Sequence, residues 1–425
     1  MNKETLQNYN ERLNTNNSSL GDILETINAL PEVSGTLTIT ENGEHDVKEY
    51  EKVVTDVHEI TPYSPQFISF YYFKGTDLDN EMISLDTSNM TTMKQMFYGC
   101  SGLTRLDVSK FNTSNVTDMQ QMFYSCSNLQ ELDVSNFDVS NVTTMSSMFE
   151  SCQKLTTIGD ISKWDTSKVT NMSSMFRTCK LLDVDFGDLK TDSVTTLANA
   201  FSQTNITKLD TSKWNTPNLT DFGYMFSHCT RLTDIDLSGI DLSKQKSLKG
   251  LFYGCAAMRT VDISSWDTSN ITDISSMFGG NCFETLDSFK NMDVHNVTTV
   301  ASILQGNKQI KVADMSTWNI SNKLTSMSLS FCECSNLEKV NMKGWDCSNV
   351  SSTSQMFYRC EKITDIVLGH GKVLPNSSNQ TLVGCYELRS IYVPDELLDA
   401  YKSATNWSSF GEKLKPYSEI PEDLF

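Results

Sequence analysis

A short motif recurs through most of the chain at nearly constant spacing. The string Met122-Phe123-Tyr124-Ser125-Cys126 repeats Met96-Phe97-Tyr98-Gly99-Cys100 one period later. The phenylalanine position of the motif returns at 97, 123, 149, 176, 201, 226, 252, 278, 304, 331, 357 and 382, with leucine at 304 and 382. A fixed period over so many registers predicts a solenoid, in which each repeat is one coil packed on its neighbours.

A second pattern follows the motif within each period. The spacing Leu129-x-x-Leu132-x-Val134 is typical of the strand of a leucine-rich repeat, and it recurs in most periods. Because side chains alternate along a strand, Leu132 and Val134 are expected inside, with Glu131 and Asp133 outside.

The segment between two strands predicts a short helix. Ser140-Asn141 is a helix-start signal, and Val142, Met145, Met148 and Phe149 then fall on one face of a short helix or 3₁₀ segment. The predicted fold is therefore an α/β repeat solenoid of about 12 coils, each a strand plus a short helix or 3₁₀ turn.

The repeat resembles that of BspA-like leucine-rich-repeat proteins, whose unit carries D-T-S-N-V-T-x-M-x-x-M-F-x-x-C. Residues 118–126 and 165–179 match this signature closely, and the resemblance covers roughly residues 82 to 393. It implies a right-handed solenoid with a parallel sheet on one face.

The patterns divide the chain into five segments. These are an N-terminal helical oligomerisation or anchoring segment (1–33), a small β module (34–60), an N-terminal cap (61–81), the solenoid (82–393), and a C-terminal capping helix with a tail (394–425). Asn42-Gly43 predicts a hairpin turn in the β module. The string T-I-T-E-N-G-x-x-D-V in that module resembles a short module of bacteriophage structural proteins.

The N-terminal segment carries apolar residues at heptad spacing. The core positions of this heptad include Leu6, Leu13, Leu20, Ile23, Ile27 and Leu30. A parallel homotrimer is the preferred interpretation. The alternative is one or two helices that pack on a virion partner, since Gly21 and several asparagines weaken an autonomous coiled coil.

Exposed strand positions are the candidate binding residues. They are Arg105, Asp107, Glu131, Asp133, Asp234, Asp236, Asp262 and Lys339. Aspartate recurs at one strand position, and we expect each carboxylate to bond its own following turn. Cation binding is the alternative, with Asp107, Asp133, Asp236 and Asp262 as its ligands.

The chain offers no pattern for catalysis. All 12 cysteines lie in the repeats, without the paired spacing of a metal site, and they are expected to be reduced core thiols. No nucleophile elbow, zinc-protease motif or phosphate loop occurs, so we expect no enzyme and no cofactor.

Charge and hydropathy limit the partners. A net charge of −19 argues against nonspecific nucleic-acid binding, and no apolar run is long enough for membrane insertion. The start of the chain also lacks an apolar export segment.

Together with the phage resemblance, these features predict a virion protein made in the host cytoplasm. A head fibre, a tail fibre or a baseplate-associated adhesin would fit. It would contact other virion proteins through its N-terminal region and bind a host-cell surface glycan or protein. The alternative is a BspA-like adhesin on a bacterial cell surface.

Overall fold

The computed structural model describes residues 86–425, except 183–185, 187–188, 281–282 and 376–379, and also the strands within 32–41, 44–54, 68–69 and 77–78. The chain divides into two compact units, Met1–Ile206 and Thr207–Phe425. The heptad residues predicted to oligomerise, Leu6, Leu13, Leu20, Ile23, Ile27 and Leu30, lie outside the described residues.

The first unit contains an antiparallel sheet and the first coils. Strands β1 (Glu32–Glu41) and β2 (Glu44–Val54) pair antiparallel, with Glu41 opposite Glu44 at the end of the ladder. Strand β3 (Ile68–Ser69) joins the other edge of β1, also antiparallel. The coil strands β4 (Asp77–Leu78), β5 (Arg105–Leu106) and β6 (Glu131–Leu132) form a separate parallel sheet.

The second unit contains two parallel sheets. Strands β7 (Lys208–Asp210) and β8 (Asp234–Asp236) pair with each other. The other sheet has the order β13-β12-β11-β10-β9. Its strands are β9 (Val312–Asp314), β10 (Lys339–Asn341), β11 (Asp365–Val367), β12 (Ser390–Val393) and β13 (Leu414–Pro416). The predicted repeat solenoid with parallel strands is thus confirmed.

The predicted short helix of each coil is wrong. Around Phe123 the chain forms consecutive turns, and Gln121 and Ser125 both have a φ of +57°. The N–H groups of Gln121, Phe123 and Ser125 donate to Ser146, Met148 and Glu150 of the next coil at 2.8–2.9 Å. In an α-helix these N–H groups would bond to carbonyl groups of the same segment. The left-handed residues interrupt that pattern, and the N–H groups bond to the next coil instead.

The same backbone pattern recurs through the solenoid. Left-handed residues lie two positions before the phenylalanine column at 95, 121, 147, 174, 199, 224, 250, 276, 302, 329 and 355. They lie two positions after it at 99, 125, 151, 178, 203, 228, 254, 280, 306, 333, 359 and 384. The apolar residues three and four positions apart in this segment therefore belong to turns whose side chains pack inward. Hydrophobic periodicity alone does not distinguish such turns from a helix.

The core is built from columns of equivalent side chains. In the first unit, Phe97, Phe123, Phe149, Phe176 and Phe201 stack with ring centroids 5.5–5.8 Å apart. In the second unit, Phe226 stacks on Phe252 at 6.0 Å and Phe331 on Phe357 at 5.1 Å. Stacking at the coil spacing explains why the same residue type returns once per period.

The C-terminal segment differs from a single capping helix. A 3₁₀ turn (Asp395–Leu397) leads into the short helix α1 (Leu398–Ser403), and 3₁₀ turns follow at Ser408–Lys413 and Tyr417–Glu419. Strand β13 pairs with β12 and so covers the edge that β12 would otherwise expose. Across the described residues, no helix has the length and apolar character needed to cross a bilayer.

Candidate binding surface

The exposed strand face of each coil carries two outward positions. Arg105 pairs in register with Glu131, and both side chains are exposed, whereas Leu106 and Leu132 between the outward positions are buried. In the second unit, Lys208 pairs with Asp234 and Asp210 with Asp236, again exposed. The strand alternation therefore holds a row of changing charged side chains on a fixed backbone.

The second outward position is the aspartate column, and each carboxylate serves its own turn. Oδ1 of Asp107 accepts the N–H of Ser109 at 2.8 Å, and Oδ1 of Asp133 accepts the N–H of Ser135 at 3.0 Å. The other members of the column with this bond are Asp86, Asp210, Asp236, Asp262 and Asp314. Hydrogen bonds from these serines hold the pKa of Asp107 and Asp133 below its usual value.

The described residues form no cluster of ligands that would support cation binding. Within the ranges that the structure describes, no group of three or more His, Cys, Asp or Glu side chains could hold a metal ion. Asp107 and Asp133 lie in the first unit, and Asp236 and Asp262 in the second. A carboxylate that already accepts a backbone N–H of its own turn is less available to a cation.

The sequence matches a known protein family over three consecutive stretches. Residues 67–159, 153–261 and 246–369 match the family described as "Mycoplasma protein of unknown function, DUF285", and together these matches span more than half of the chain. The chain belongs to the DUF285 family. No curated protein is detectably similar to this DUF285 chain in sequence.

One solved structure to which the DUF285 chain is similar is an internalin from Listeria monocytogenes. The sequence identity is 11%, over 77% of this chain and 86% of the internalin, and the TM-score is 0.19. A TM-score this low supports no structural argument, so the fold assignment is based on the strands and hydrogen bonds described above.

The eight predicted binding residues of this DUF285 protein do not share one environment. Seven of them are exposed, namely Arg105, Asp107, Glu131, Asp133, Asp234, Asp236 and Asp262. Lys339 is half-buried, and its Nζ donates to the backbone oxygen of Leu424 at 2.9 Å. The C-terminal tail thus occupies the strand face at Lys339, a long-range contact that no local sequence pattern encodes.

Sequence reasoning missed the polar side chains that tie the DUF285 coils together. Nδ2 of Asn141 donates to the backbone oxygen of Ser114 at 2.8 Å, and Oγ1 of Thr143 donates to that of Thr117 at 3.0 Å. The same asparagine bond forms at Asn115, Asn270, Asn296 and Asn349. The Ser140-Asn141 pair that predicted a helix start is therefore a link between coils, and its return at Ser114-Asn115, Ser269-Asn270 and Ser348-Asn349 was the available signal.

Proposed function

We propose that this DUF285 protein is a binding protein, an adhesin whose solenoid presents its strand face to a host-cell surface glycan or protein. The observation that carries the proposal is the paired register of Arg105 and Glu131 beside Asp107 and Asp133. The aspartates maintain the turns, while the neighbouring position changes from coil to coil. A rigid scaffold with variable exposed residues is how solenoids build recognition surfaces.

A catalytic role is not part of the proposal. The buried thiols of Cys126, Cys179, Cys255 and Cys360 have a pKa raised well above the usual value by burial. Such thiols stay protonated near neutral pH and are poor nucleophiles. The aspartates of the strand face have a lowered pKa or serve as turn acceptors, which suits neither a general acid nor a shared-proton pair.

The setting that we propose is a phage particle, on which the N-terminal region contacts other virion proteins as a homotrimer. The resemblance of the T-I-T-E-N-G string to phage structural modules supports this setting. Display on a bacterial cell surface is the second candidate, supported by the resemblance of the repeat to BspA-like proteins. Immunogold labelling of purified particles and of intact cells separates the two, and a protein found on cells but never on particles contradicts the virion setting.

Binding itself is tested by reversing the charges of the variable row. The full-length double variant Arg105→Glu/Glu131→Arg keeps the net charge, and we expect cell binding to fall by about tenfold if the pair lies in the interface. Lys154→Glu, at an exposed position outside the strands, is the control and should bind as the wild type does. Unchanged binding by the double variant, with unchanged thermal unfolding, would remove this part of the strand face from the interface.

A further inference from the structure

The outward strand position changes character in the last coils of the second unit. The parallel register aligns Asp314 with Asn341, then Val367, then Tyr392. Asp314 is exposed, whereas Val367 and Tyr392 are buried, with 0% and 3% of their surface exposed. An apolar pair thus replaces the turn-forming carboxylate at this strand position.

The chain's own C-terminal tail covers this apolar pair. Leu424 packs with Val367 and Tyr392 in a cluster of buried residues, and Tyr417 and Ile420 pack against the same cluster. We call Val367 and Tyr392 the apolar patch, and residues 417–425 the tail. The patch is therefore on the strand face but inaccessible while the tail is in place.

The tail is held by one contact to its main chain and by contacts of its Tyr417 side chain. Nζ of Lys339 donates to the backbone oxygen of Leu424, and the hydroxyl of Tyr417 donates to the backbone oxygen of Leu368. Lys343 lies over the ring of Tyr417, with Nζ 5.2 Å from its centroid. Apolar side chains packed on a sheet face, together with a lysine that bonds a main-chain oxygen, are contacts that a separate peptide could also make.

Charge favours the same type of occupant. The tail sequence, Tyr-Ser-Glu-Ile-Pro-Glu-Asp-Leu-Phe, carries three acidic side chains and no basic one. Lys339 and Lys343 contact it, and Lys415 lies beside the patch with Nζ 5.8 Å from the ring centroid of Tyr392. An acidic peptide that carries apolar side chains thus fits a patch bordered by lysines.

We propose that the strand face around Val367 and Tyr392 is a binding site for acidic peptides that carry apolar side chains, and that the tail occupies it in cis. This inference names a ligand class for the strand face and rests on the proposed binding function for its biological meaning. A covalently attached tail competes at an effective concentration of order millimolar, so an external peptide gains access only when the tail is released.

The test uses full-length protein in which one substitution releases the tail. Leu424→Asp places a charge against the apolar patch, whereas Phe425→Asp adds the same charge at the neighbouring residue, which is 41% exposed. The probe is a fluorescent nonapeptide with the sequence of residues 417–425, followed by fluorescence anisotropy. We expect saturable binding to Leu424→Asp and at least about tenfold weaker binding to the wild type and to Phe425→Asp.

A second substitution locates the bound peptide. Val367→Asp introduces the residue that β9 carries at the aligned position, Asp314, and thermal unfolding checks that the coil tolerates it. In the Leu424→Asp background it should abolish peptide binding, and raised salt should weaken binding to Leu424→Asp alone. Equal peptide binding with and without Val367→Asp would overturn the proposal.

Hydrogen exchange of residues 417–425 and thermal unfolding complete the test. Leu424→Asp should accelerate exchange in the tail while the main unfolding transition is retained. Unchanged exchange, or loss of the main transition, shows that the tail is an integral part of the fold and overturns the proposal. These measurements need no host cell, so their failure leaves the Arg105 and Glu131 experiment intact, and failure of that experiment leaves the peptide site intact.

Discussion

The thiol of Cys126 donates a hydrogen bond to the backbone oxygen of Phe97, with 3.1 Å between sulfur and oxygen. The bond joins two successive coils at the column of stacked phenylalanines. The same bond links Cys152 to Phe123, Cys179 to Phe149, Cys255 to Phe226, Cys334 to Leu304, Cys360 to Phe331 and Cys385 to Phe357. The cysteine column is thus a ladder of donors as well as a set of small core side chains.

Two positions of the column carry another polar residue in place of cysteine, and these residues donate to different acceptors. Thr204 donates from Oγ1 to the backbone oxygen of Phe201, and Asn307 donates from Nδ2 to that of Phe283. Both residues are buried. Each of these buried side chains has a backbone acceptor, Thr204 within its own turn and Asn307 at Phe283, which explains how two polar residues are accommodated in the core.

Removal of one donor should destabilise the fold more than its replacement by another. We expect Cys126→Ala to lower the free energy of unfolding by about 1–2 kcal/mol, because it removes a hydrogen bond and buried sulfur. Cys126→Ser keeps a donor and should lose less. Urea denaturation of the two variants measures the difference, and an alanine variant as stable as the serine variant would show that the thiol bond contributes nothing.

Alkaline pH should destabilise the protein through the same thiols. Burial raises the pKa of Cys334 and of Cys347 to about 12, from a usual value of 9.0. Their stabilising contribution is complete below about pH 9 and is lost as the pH rises towards 12, because the unfolded chain releases these protons first. We expect a loss at pH 10 of order 1 kcal/mol for each such thiol, measured by urea denaturation at pH 8 and pH 10.

A matched variant isolates one thiol. Cys347 occupies the position of the buried threonines Thr166 and Thr268 in the D-T-S strings of other coils, so Cys347→Thr suits the coil. Its stability should fall less steeply between pH 8 and pH 10 than that of the wild type. The same slope in both proteins would mean that Cys347 does not titrate in this range.

The parts of the fold that follow from one period were predictable, and those that depend on the relation between coils were not. The spacing of Leu129, Leu132 and Val134 specifies which strand side chains are buried, since alternation is a local property. The spacing of Met145, Met148 and Phe149 is compatible both with a helix and with turns whose side chains face inward. Only the bonds of one coil to the next decide between them, and these bonds join residues about 25 positions apart.

The candidate surface shows the same division. The exposure of Arg105 and Glu131 follows from strand alternation, and the turn bond of Asp133 follows from a serine two residues on. The burial of Lys339 and Val367 does not, because their cover comes from residues 417–425 at the end of the chain. Contacts at such separation leave no periodic signal in the sequence.

The turn bond of Asp133 should depend on a side-chain oxygen and not on charge. Asn341 makes the equivalent bond to the N–H of Lys343 at 3.1 Å in β10, so Asp133→Asn should be nearly neutral at pH 7. Asp133→Ala removes the acceptor and should cost about 1 kcal/mol. Thermal unfolding compares the three proteins, and an alanine variant as stable as the asparagine variant contradicts a role for this bond.

The stability of the protein at acid pH provides a second test of the role of Asp133. Hydrogen bonds from Ser135 lower the pKa of Asp133, so its contribution is present above the usual value of 3.8 and is lost as the pH falls through the lowered value. Asn at this position cannot titrate. The Asp133→Asn protein should therefore lose less stability than the wild type between pH 5 and pH 3.

Calcium should not stabilise the strand face if its carboxylates serve their turns. We expect the midpoint of thermal unfolding to stay unchanged when calcium is added to metal-free protein, because Asp107, Asp133 and Asp236 already accept backbone N–H groups. Magnesium at equal concentration controls for ionic strength. A rise with calcium alone, absent from an Asp107→Asn/Asp133→Asn variant, would instead establish the cation site.

Two tryptophans in nearly identical strings should respond differently to loss of the indole N–H. Trp164 is 2% exposed and its Nε1 donates to the backbone oxygen of Val134 at 3.2 Å. Nε1 of Trp266 is buried without a hydrogen-bond partner among the residues that the structure describes. A buried donor without a partner costs free energy, and phenylalanine lacks that donor.

Trp164→Phe should therefore destabilise the protein by at least about 1 kcal/mol more than Trp266→Phe, because it loses a hydrogen bond and because Trp164 is buried whereas Trp266 is half-buried. Urea denaturation of both single variants and of the double variant measures each effect and its additivity. The sites lie in different units of the chain, so the two changes should add. If Trp266→Phe were the more costly substitution, its indole N–H would have to be bonded in solution, and the difference between the two tryptophans would vanish.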